Sequence, residues 1–87
     1  MIIKVSGLKK SLDKETKAVK GLTVCGVITV PDVVDPMVVG DLTFDGYFYM
    51  ENLQGLIPEI GKEYEVVFTH FEYQGEYTAR PHHLKEV

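Results

Sequence analysis

The sequence of 87 residues predicts an all-β fold, a small five-stranded OB-like barrel formed by residues 1–87 as a single domain. Apolar and polar residues alternate along several stretches, which is the period of a strand with one buried face. Glycines recur inside those stretches, where a small barrel needs sharp coiling. A short helical turn is expected between the third and fourth strands, as in the OB order. Five-stranded SH3-like barrels are the alternative architecture.

The first strand is followed by the most polar segment of the chain. Ile3 and Val5 alternate with polar residues, and Gly7 offers a position for a bend or bulge. Residues 9–20 lack a continuous apolar stripe, so we expect no helix there but a long, flexible, basic loop. Its lysines are Lys9, Lys10, Lys14, Lys17 and Lys20.

The second and third strands each carry a glycine within their apolar row, Gly26 and Gly46. These rows are Leu22, Val24, Ile28 and Val30 in the second strand, and Leu42, Phe44, Phe48 and Met50 in the third. Residues 37–39 are predicted to form a short edge strand between them. Asn52 is expected to cap a short helical turn after the third strand, which Gly55 and Pro58 keep from growing longer.

The clearest hairpin spans residues 63–80. Gln74–Gly75 provides a two-residue turn, because glycine readily adopts a positive φ. The cross-strand pairs that this turn dictates are Phe71 with Thr78 and Thr69 with Arg80. Pro81 has no amide to donate, so the last strand is expected at a sheet edge or at a bulge. Residues 82–87 are predicted to be a tail with Leu84 as its buried anchor.

The large side chains of this hairpin change faces at His70. Before it, Tyr64 and Phe68 lie on the apolar face, and after it the large residues fall in the opposite register. The residues predicted to share this second, solvent-exposed face are Phe71, Tyr73 and Arg80. This hairpin is therefore the best clue in the sequence to a binding surface.

The charges are divided along the chain. The formal net charge is −4, yet residues 1–20 carry six lysines against two acidic residues, and residues 21–61 contain six acidic residues but no lysine or arginine. Such a division is typical of a basic contact site, of an acidic surface facing a basic partner, or of head-to-tail association. No run of about 18 apolar residues is present, so no membrane span is predicted. The single cysteine, Cys25, favours a reducing, cytoplasmic location.

Metal binding and catalysis find little support in the residue pattern. The soft ligands are Cys25, His70, His82 and His83, and their spacing matches no metal motif. On a regular strand the two adjacent histidines would point in opposite directions. Cys25 and His70 form the one nucleophile–base pair that can be proposed, but no activating environment is evident. We therefore expect a non-enzymatic protein without a metal or cofactor.

The end of the chain, IPEIGKEYEVVFTHFEYQGEYTARPHHLKEV, resembles the ending of the small single-stranded-DNA-binding proteins of filamentous phages. The opening segment, Met1–Val5, and the long polar segment after it are also similar to theirs. The resemblance covers the layout of most of the chain and the residue types of about its last thirty residues. It implies a five-stranded OB-like barrel, a homodimer, and cooperative binding of single-stranded DNA without sequence specificity.

Two functions follow from these observations. The first is single-stranded nucleic-acid binding, in which a basic loop attracts phosphates and aromatic side chains stack on bases. Its candidate residues are Lys9, Lys10, Lys14, Lys17, Lys20, Tyr47, Tyr49, Phe71, Tyr73 and Arg80. The lysine segment is expected to lie beside the 63–80 hairpin. The alternative is a small acidic protein-interaction module, such as a phage-encoded inhibitor of a host protein or defence system, that binds a basic protein surface.

Overall fold

The computed structural model describes all of residues 1–87 and contains five strands in one antiparallel sheet. The elements are β1 (Ile2–Leu12), β2 (Val19–Val30), β3 (Leu42–Tyr49), α1 (Met50–Leu53), β4 (Glu63–Tyr73) and β5 (Glu76–Glu86). The order across the sheet is β3-β2-β1-β4-β5. The predicted all-β fold, its five strands and the short helix between the third and fourth strands are confirmed.

The two edge strands, β3 and β5, approach each other without forming a hydrogen-bonded ladder. A Cβ atom built on Gly46 of β3 would lie 3.0 Å from Cγ of Pro81 of β5. The sheet is therefore curled but not closed. Pro81 lies on an edge strand, as predicted, where its missing amide costs no ladder bond.

The core lies on the concave face of the sheet. It is formed by ten buried apolar residues, Ile3, Val5, Leu22, Val24, Phe44, Phe48, Leu53, Tyr64, Val66 and Leu84. The predicted apolar rows of β2, β3 and β4 supply most of them, and both interrupting glycines, Gly26 and Gly46, are also buried. The hydroxyl of the buried Tyr64 accepts the amide hydrogen of Glu59 at 2.9 Å, which ties the segment before β4 to the core.

Two bulges change which face the side chains occupy. In β1, Val5 is opposite Gly26 and Gly7 is opposite Cys25. Two consecutive residues of β2 therefore face three residues of β1, and Ser6 is the extra residue. This confirms the irregularity predicted at Gly7. In β5 the extra residue is His82, which lies between the partners of Val67 and Phe68.

The C-terminal segment continues the sheet, so the predicted tail is wrong. β5 extends to Glu86, although Leu84 is buried as expected. The predicted opposite orientation of the two histidines is wrong as well, because Nδ1 of His82 and Nδ1 of His83 are 2.8 Å apart. The bulge at His82 explains this, since it breaks the alternation that would separate the two rings.

Three further predicted elements differ from the structure. Lys9, Lys10 and Lys20 belong to strands, because the β1–β2 ladder continues to the pair Leu12–Val19. Residues 37–39 form no strand, since the amides of Met37 and Val38 are engaged in a turn at Asp35. The helix begins at Met50 with Tyr49 as its N-cap, one turn earlier than expected. Left-handed Gln54 ends it, so Asn52 lies inside it instead of capping it.

Two hairpins project beyond the core. Residues 70–80 are all exposed, and most of residues 8–20 are exposed as well. The radius of gyration is 14.2 Å, whereas a compact domain of this length would have about 12 Å. We call residues 8–20 the lysine hairpin and residues 70–80 the aromatic hairpin.

Candidate nucleic-acid interface

The pairing registers place a lysine and two tyrosines on one outer face of the sheet. Lys9 of β1 is opposite Thr23 of β2, which is opposite Tyr47 of β3. In the next row on the same face, Gly21 is opposite Tyr49. Paired residues share a face, so these side chains form one continuous surface. We call these five residues the lysine–tyrosine face.

Tyr47 lies flat across β2 because Gly21 has no side chain. A Cβ atom on Gly21 would lie far inside contact distance of the Tyr47 hydroxyl and 2.8 Å from the carbonyl oxygen of Phe48. The ring of Tyr49 packs edge-on against that of Tyr47, with centroids 5.2 Å apart and planes at 90°. Tyr49 remains 45% exposed. The Tyr47 ring, with Tyr49 packed against it, thus forms a supported aromatic platform on which a planar ligand could stack.

The remaining lysines of the lysine hairpin lie outside this face. Lys10 is opposite buried Leu22 and so projects from the other face of β1, while Lys14 and Lys17 lie in the turn. None of the five lysines in the lysine hairpin forms an ion pair within the chain, since the two ion pairs present involve Met1 with Asp32 and Lys62 with Glu59. Their charges are therefore available to an external partner.

Asp13 holds the turn that carries these lysines. Its carboxylate accepts the amide hydrogens of Glu15 at 2.8 Å and Thr16 at 3.1 Å. These bonds, that from Thr16 first and that from Glu15 second, lower the pKa of the Asp13 carboxyl below its ordinary value of 3.8. The Asp13 carboxylate therefore stabilises the folded protein at every pH above the pKa that it has in the unfolded chain. This contribution is lost as the pH falls through the lower pKa of the folded state.

Replacing Asp13 by alanine is expected to loosen this turn without unfolding the sheet. The amide hydrogens of Glu15 and Thr16 lose their acceptor, so they should exchange with solvent several-fold faster. Hydrogen exchange followed by NMR measures this directly. Asp13→Asn is the matched control, because its amide oxygen can still accept both bonds. Equal exchange rates in the alanine variant and the unmodified protein would contradict the assigned role.

The aromatic hairpin has the turn and pairing that the sequence predicts. Gln74 and Gly75 both have positive φ, 52° and 80°, as a two-residue type I′ turn requires. The predicted pairs, Phe71 with Thr78 and Thr69 with Arg80, are confirmed.

The predicted exposure of the hairpin's large residues is confirmed too. Phe71 is 37% and Tyr73 is 65% exposed, and Arg80 is also exposed. The guanidinium carbon of Arg80 lies 5.1 Å from the centre of the Phe71 ring, within cation–π range.

The structure does not bring the two groups of candidate residues together. β4 pairs with β1 only through Ile2–Lys4, and it runs antiparallel, so the aromatic hairpin extends away from Lys9. No hydrogen bond, ion pair or aromatic contact joins the lysine hairpin to the aromatic hairpin. The expectation that they lie side by side is wrong, because the two hairpins extend in opposite directions along β1.

Acidic side chains lie before and after the two tyrosines along the chain. Asp45 lies on the same face two residues before Tyr47, opposite Cys25, and Glu51 lies in the first turn of α1. Both are exposed and neither forms an ion pair. A negatively charged strand is therefore favoured across the sheet towards Lys9 and disfavoured close to Asp45 and Glu51.

The loop of residues 31–41, which we call the acidic loop, was predicted only in part, because its aspartates belong to the acidic stretch seen in the sequence but residues 37–39 were expected to form a strand. It carries Asp32, Asp35 and Asp41 without a basic residue, and its apolar side chains face solvent, Met37 being 86% and Val39 97% exposed. The signal was present in Asp35–Pro36, a pair that favours a turn over the predicted edge strand.

No protein-family model, curated protein or solved structure matches the chain. The structure also contains no group of three or more histidine, cysteine, aspartate or glutamate side chains arranged to hold a metal ion. None of its helices is long and apolar enough to cross a bilayer. The lysine–tyrosine face and the two projecting hairpins are thus the features from which a function can be argued.

Proposed function

We propose that the protein is a non-enzymatic, cytoplasmic single-stranded-DNA-binding protein of the phage type, and that the lysine–tyrosine face is its binding surface. The observation that carries the proposal is the edge-on pair of Tyr47 and Tyr49, of which Tyr47 lies in the same row as Lys9 and Tyr49 in the next row on the same face. Stacking on aromatic side chains beside a positively charged strand is how sequence-independent proteins hold single strands. Each partner of this arrangement is exposed enough to reach a ligand.

The lysine hairpin supplies the attraction for phosphates in this proposal. Five lysines against two acidic residues give residues 8–20 a positive charge within a chain of net charge −4. Binding should release counterions, so the affinity falls as the salt concentration rises. The acidic residues before and after the tyrosines, Asp45 and Glu51, restrict the path of the strand instead of preventing its approach.

A titration of fluorescent oligo-dT at several salt concentrations tests the proposal. For single strands the slope of log affinity against log salt is about −0.7 per neutralised phosphate, so five engaged lysines give up to about −3.5. Replacing Lys9, Lys10, Lys14 and Lys17 by alanine is expected to reduce the slope to about −0.7. The control variant, Lys62→Ala with Lys85→Ala, should keep the original slope. Absence of binding at low salt and micromolar protein would refute the proposal.

A homodimer is part of the proposal, and the aromatic hairpin is the segment best suited to form it. Beyond its contact with Ile2–Lys4, β4 has one unpaired edge, and Phe71, Tyr73 and Arg80 are exposed on a single face. Exposed aromatic residues and arginine are common in subunit interfaces. In a dimer these three residues would contact the partner subunit in place of bases. Loss of the dimer in Phe71→Ala with Tyr73→Ala, measured by sedimentation, would support this role.

The protein-interaction module remains the second candidate, and the acidic loop is the observation that favours it. Its aspartates and exposed apolar side chains suit a basic protein surface. This function predicts oligo-dT binding that is absent or insensitive to salt, together with a host protein recovered by pull-down. Retention of that partner after Tyr47→Ala and Phe71→Ala would exclude the aromatic residues from its binding site.

A further inference from the structure

The acidic loop and the lysine hairpin lie at opposite ends of β2. The lysine hairpin includes the start of this strand, and the acidic loop follows its last residue, Val30. The strand has 12 residues, which span up to about 40 Å, and the longest dimension of the molecule is 47 Å. Neither surface can reach the other within one chain.

The acidic loop has a defined conformation that presents apolar side chains to solvent. The Asp35 carboxylate accepts the Met37 amide hydrogen at 2.9 Å, and the Asp35 carbonyl accepts that of Val38 at 3.1 Å. The loop is fixed at its start by an ion pair of 2.6 Å between Asp32 and the N-terminal amine. A depression of about 200 Å³ lies at its base, lined in part by Ile28, Val34, Val38 and Leu42. An exposed apolar patch of this kind is typical of an interaction site.

The lysine hairpin complements the acidic loop in two respects. Its lysines have no carboxylate partner within the chain, and Asp35 and Asp41 have no cationic partner. It also exposes two large apolar side chains, Leu8 and Leu12. The two surfaces thus carry unpaired charges of opposite sign, and each also exposes apolar side chains. A specific interface requires both features.

We infer that the acidic loop of one copy of this chain docks on the lysine hairpin of a second copy. The contact is head-to-tail, because the two surfaces differ and lie at opposite ends of the molecule. Such a contact leaves one free loop and one free hairpin on every open complex, so further copies can be added beyond the dimer. It goes beyond the proposed function and does not depend on it, because it forms in the absence of nucleic acid.

Sedimentation equilibrium without nucleic acid tests the inference. The weight-average mass of the unmodified protein should keep rising with concentration above twice the chain mass of 9.8 kDa. Because ion pairs contribute, the association should weaken roughly tenfold between low and high salt. Asp35→Asn with Asp41→Lys should stop the rise at the dimer or below. Asparagine at position 35 can still accept the Met37 amide, so the loop keeps its turn.

A charge exchange makes the experiment specific. Lys10→Glu with Lys14→Glu should also stop the rise, whereas an equimolar mixture of the two variants should form a larger species than either alone. That gain requires both variants to be folded, so misfolding cannot produce it. Glu63→Gln with Glu86→Lys is the matched control for the loop variant. It changes the net charge by the same amount as Asp35→Asn with Asp41→Lys, but on exposed residues elsewhere.

Four results would overturn the inference. The first is a mass that never exceeds the dimer in the unmodified protein. The second is a loop variant that associates like the unmodified protein, and the third is a mixture with no gain. In these cases the acidic loop contacts a different partner or none. An equal loss of association in the control variant would also overturn it, because net charge instead of the docking surfaces would then govern association.

Discussion

Replacing Gly26 by alanine is expected to lower the thermal midpoint by roughly 5 to 20 °C, because overpacking typically costs about 1–3 kcal/mol and each kcal/mol corresponds to about 4–8 °C in a domain of this size. The added Cβ atom would lie 2.5 Å from the carbonyl oxygen of Lys4 and 3.4 Å from Cα of Val5. Both are backbone atoms, so no side-chain rotation can relieve the contact.

Relief of this contact would require β1 and β2 to separate where the core is tightest. Ile3 and Val5 flank the site and are 0% and 1% exposed. Their strand is paired with β2 on one side and β4 on the other. A shift of β1 would therefore disturb both ladders, and a domain of this length has little stability to lose.

Gly7→Ala is the matched control for this prediction. Gly7 belongs to the same β1–β2 ladder, but the nearest atom to its added Cβ would be Cβ of Cys25 at 4.0 Å, an ordinary contact. We expect its thermal midpoint to stay unchanged or to rise slightly, since alanine has less conformational freedom to lose than glycine. Thermal unfolding followed by circular dichroism compares the two variants. Similar losses in both would mean that backbone strain at glycines, and not the contact with Lys4, governs stability.

The parts of the fold that depend on local patterns could be predicted from the sequence. Alternation placed Phe44 and Phe48 on the core face, and the Gln74–Gly75 turn fixed the register of the aromatic hairpin. Both signals act over a few residues. They required no knowledge of which strands meet in space.

The length of the lysine hairpin could not be predicted in the same way. Beyond Val5 the β1 strand is largely exposed, so this part of the chain, with its lysines, produces no apolar row. Backbone pairing as far as Leu12 and Val19 holds this segment as a strand pair without such a row. The sequence therefore gives the lysines the appearance of a flexible loop.

The lysine–tyrosine face depends on a bulge that alternation does not reveal. Counting by twos from Ile3 and Val5 would place Lys9 on the core face, whereas the extra residue Ser6 moves it to the outer face with Tyr47. The bulge at His82 has the same consequence for the histidine pair. A single inserted residue thus decides which side chains can act together, and it does so through tertiary pairing.

Replacing Tyr47 or Tyr49 by alanine is expected to weaken oligo-dT binding by about 5- to 150-fold each, since stacking contributes about 1–3 kcal/mol per base. The salt slope should stay unchanged, because tyrosine neutralises no phosphate. This combination separates stacking from electrostatic attraction, because the lysine variants, unlike the tyrosine variants, should reduce the salt slope. Fluorescence anisotropy at two salt concentrations measures both quantities.

Tyr77→Ala is the control for this prediction, and Gly21→Ala is an independent variant. Tyr77 is 82% exposed but lies on the aromatic hairpin, away from the lysine–tyrosine face, so its loss should leave the affinity unchanged. Alanine at position 21 would displace the Tyr47 ring without removing it, because the added Cβ overlaps the hydroxyl, and it would also press on the Phe48 carbonyl oxygen 2.8 Å away. It should therefore weaken binding as Tyr47→Ala does, and the double variant should bind no more weakly than the Tyr47 variant alone. If Tyr77→Ala weakens binding as much as Tyr47→Ala, exposed aromatic surface in general, and not this platform, accounts for the affinity.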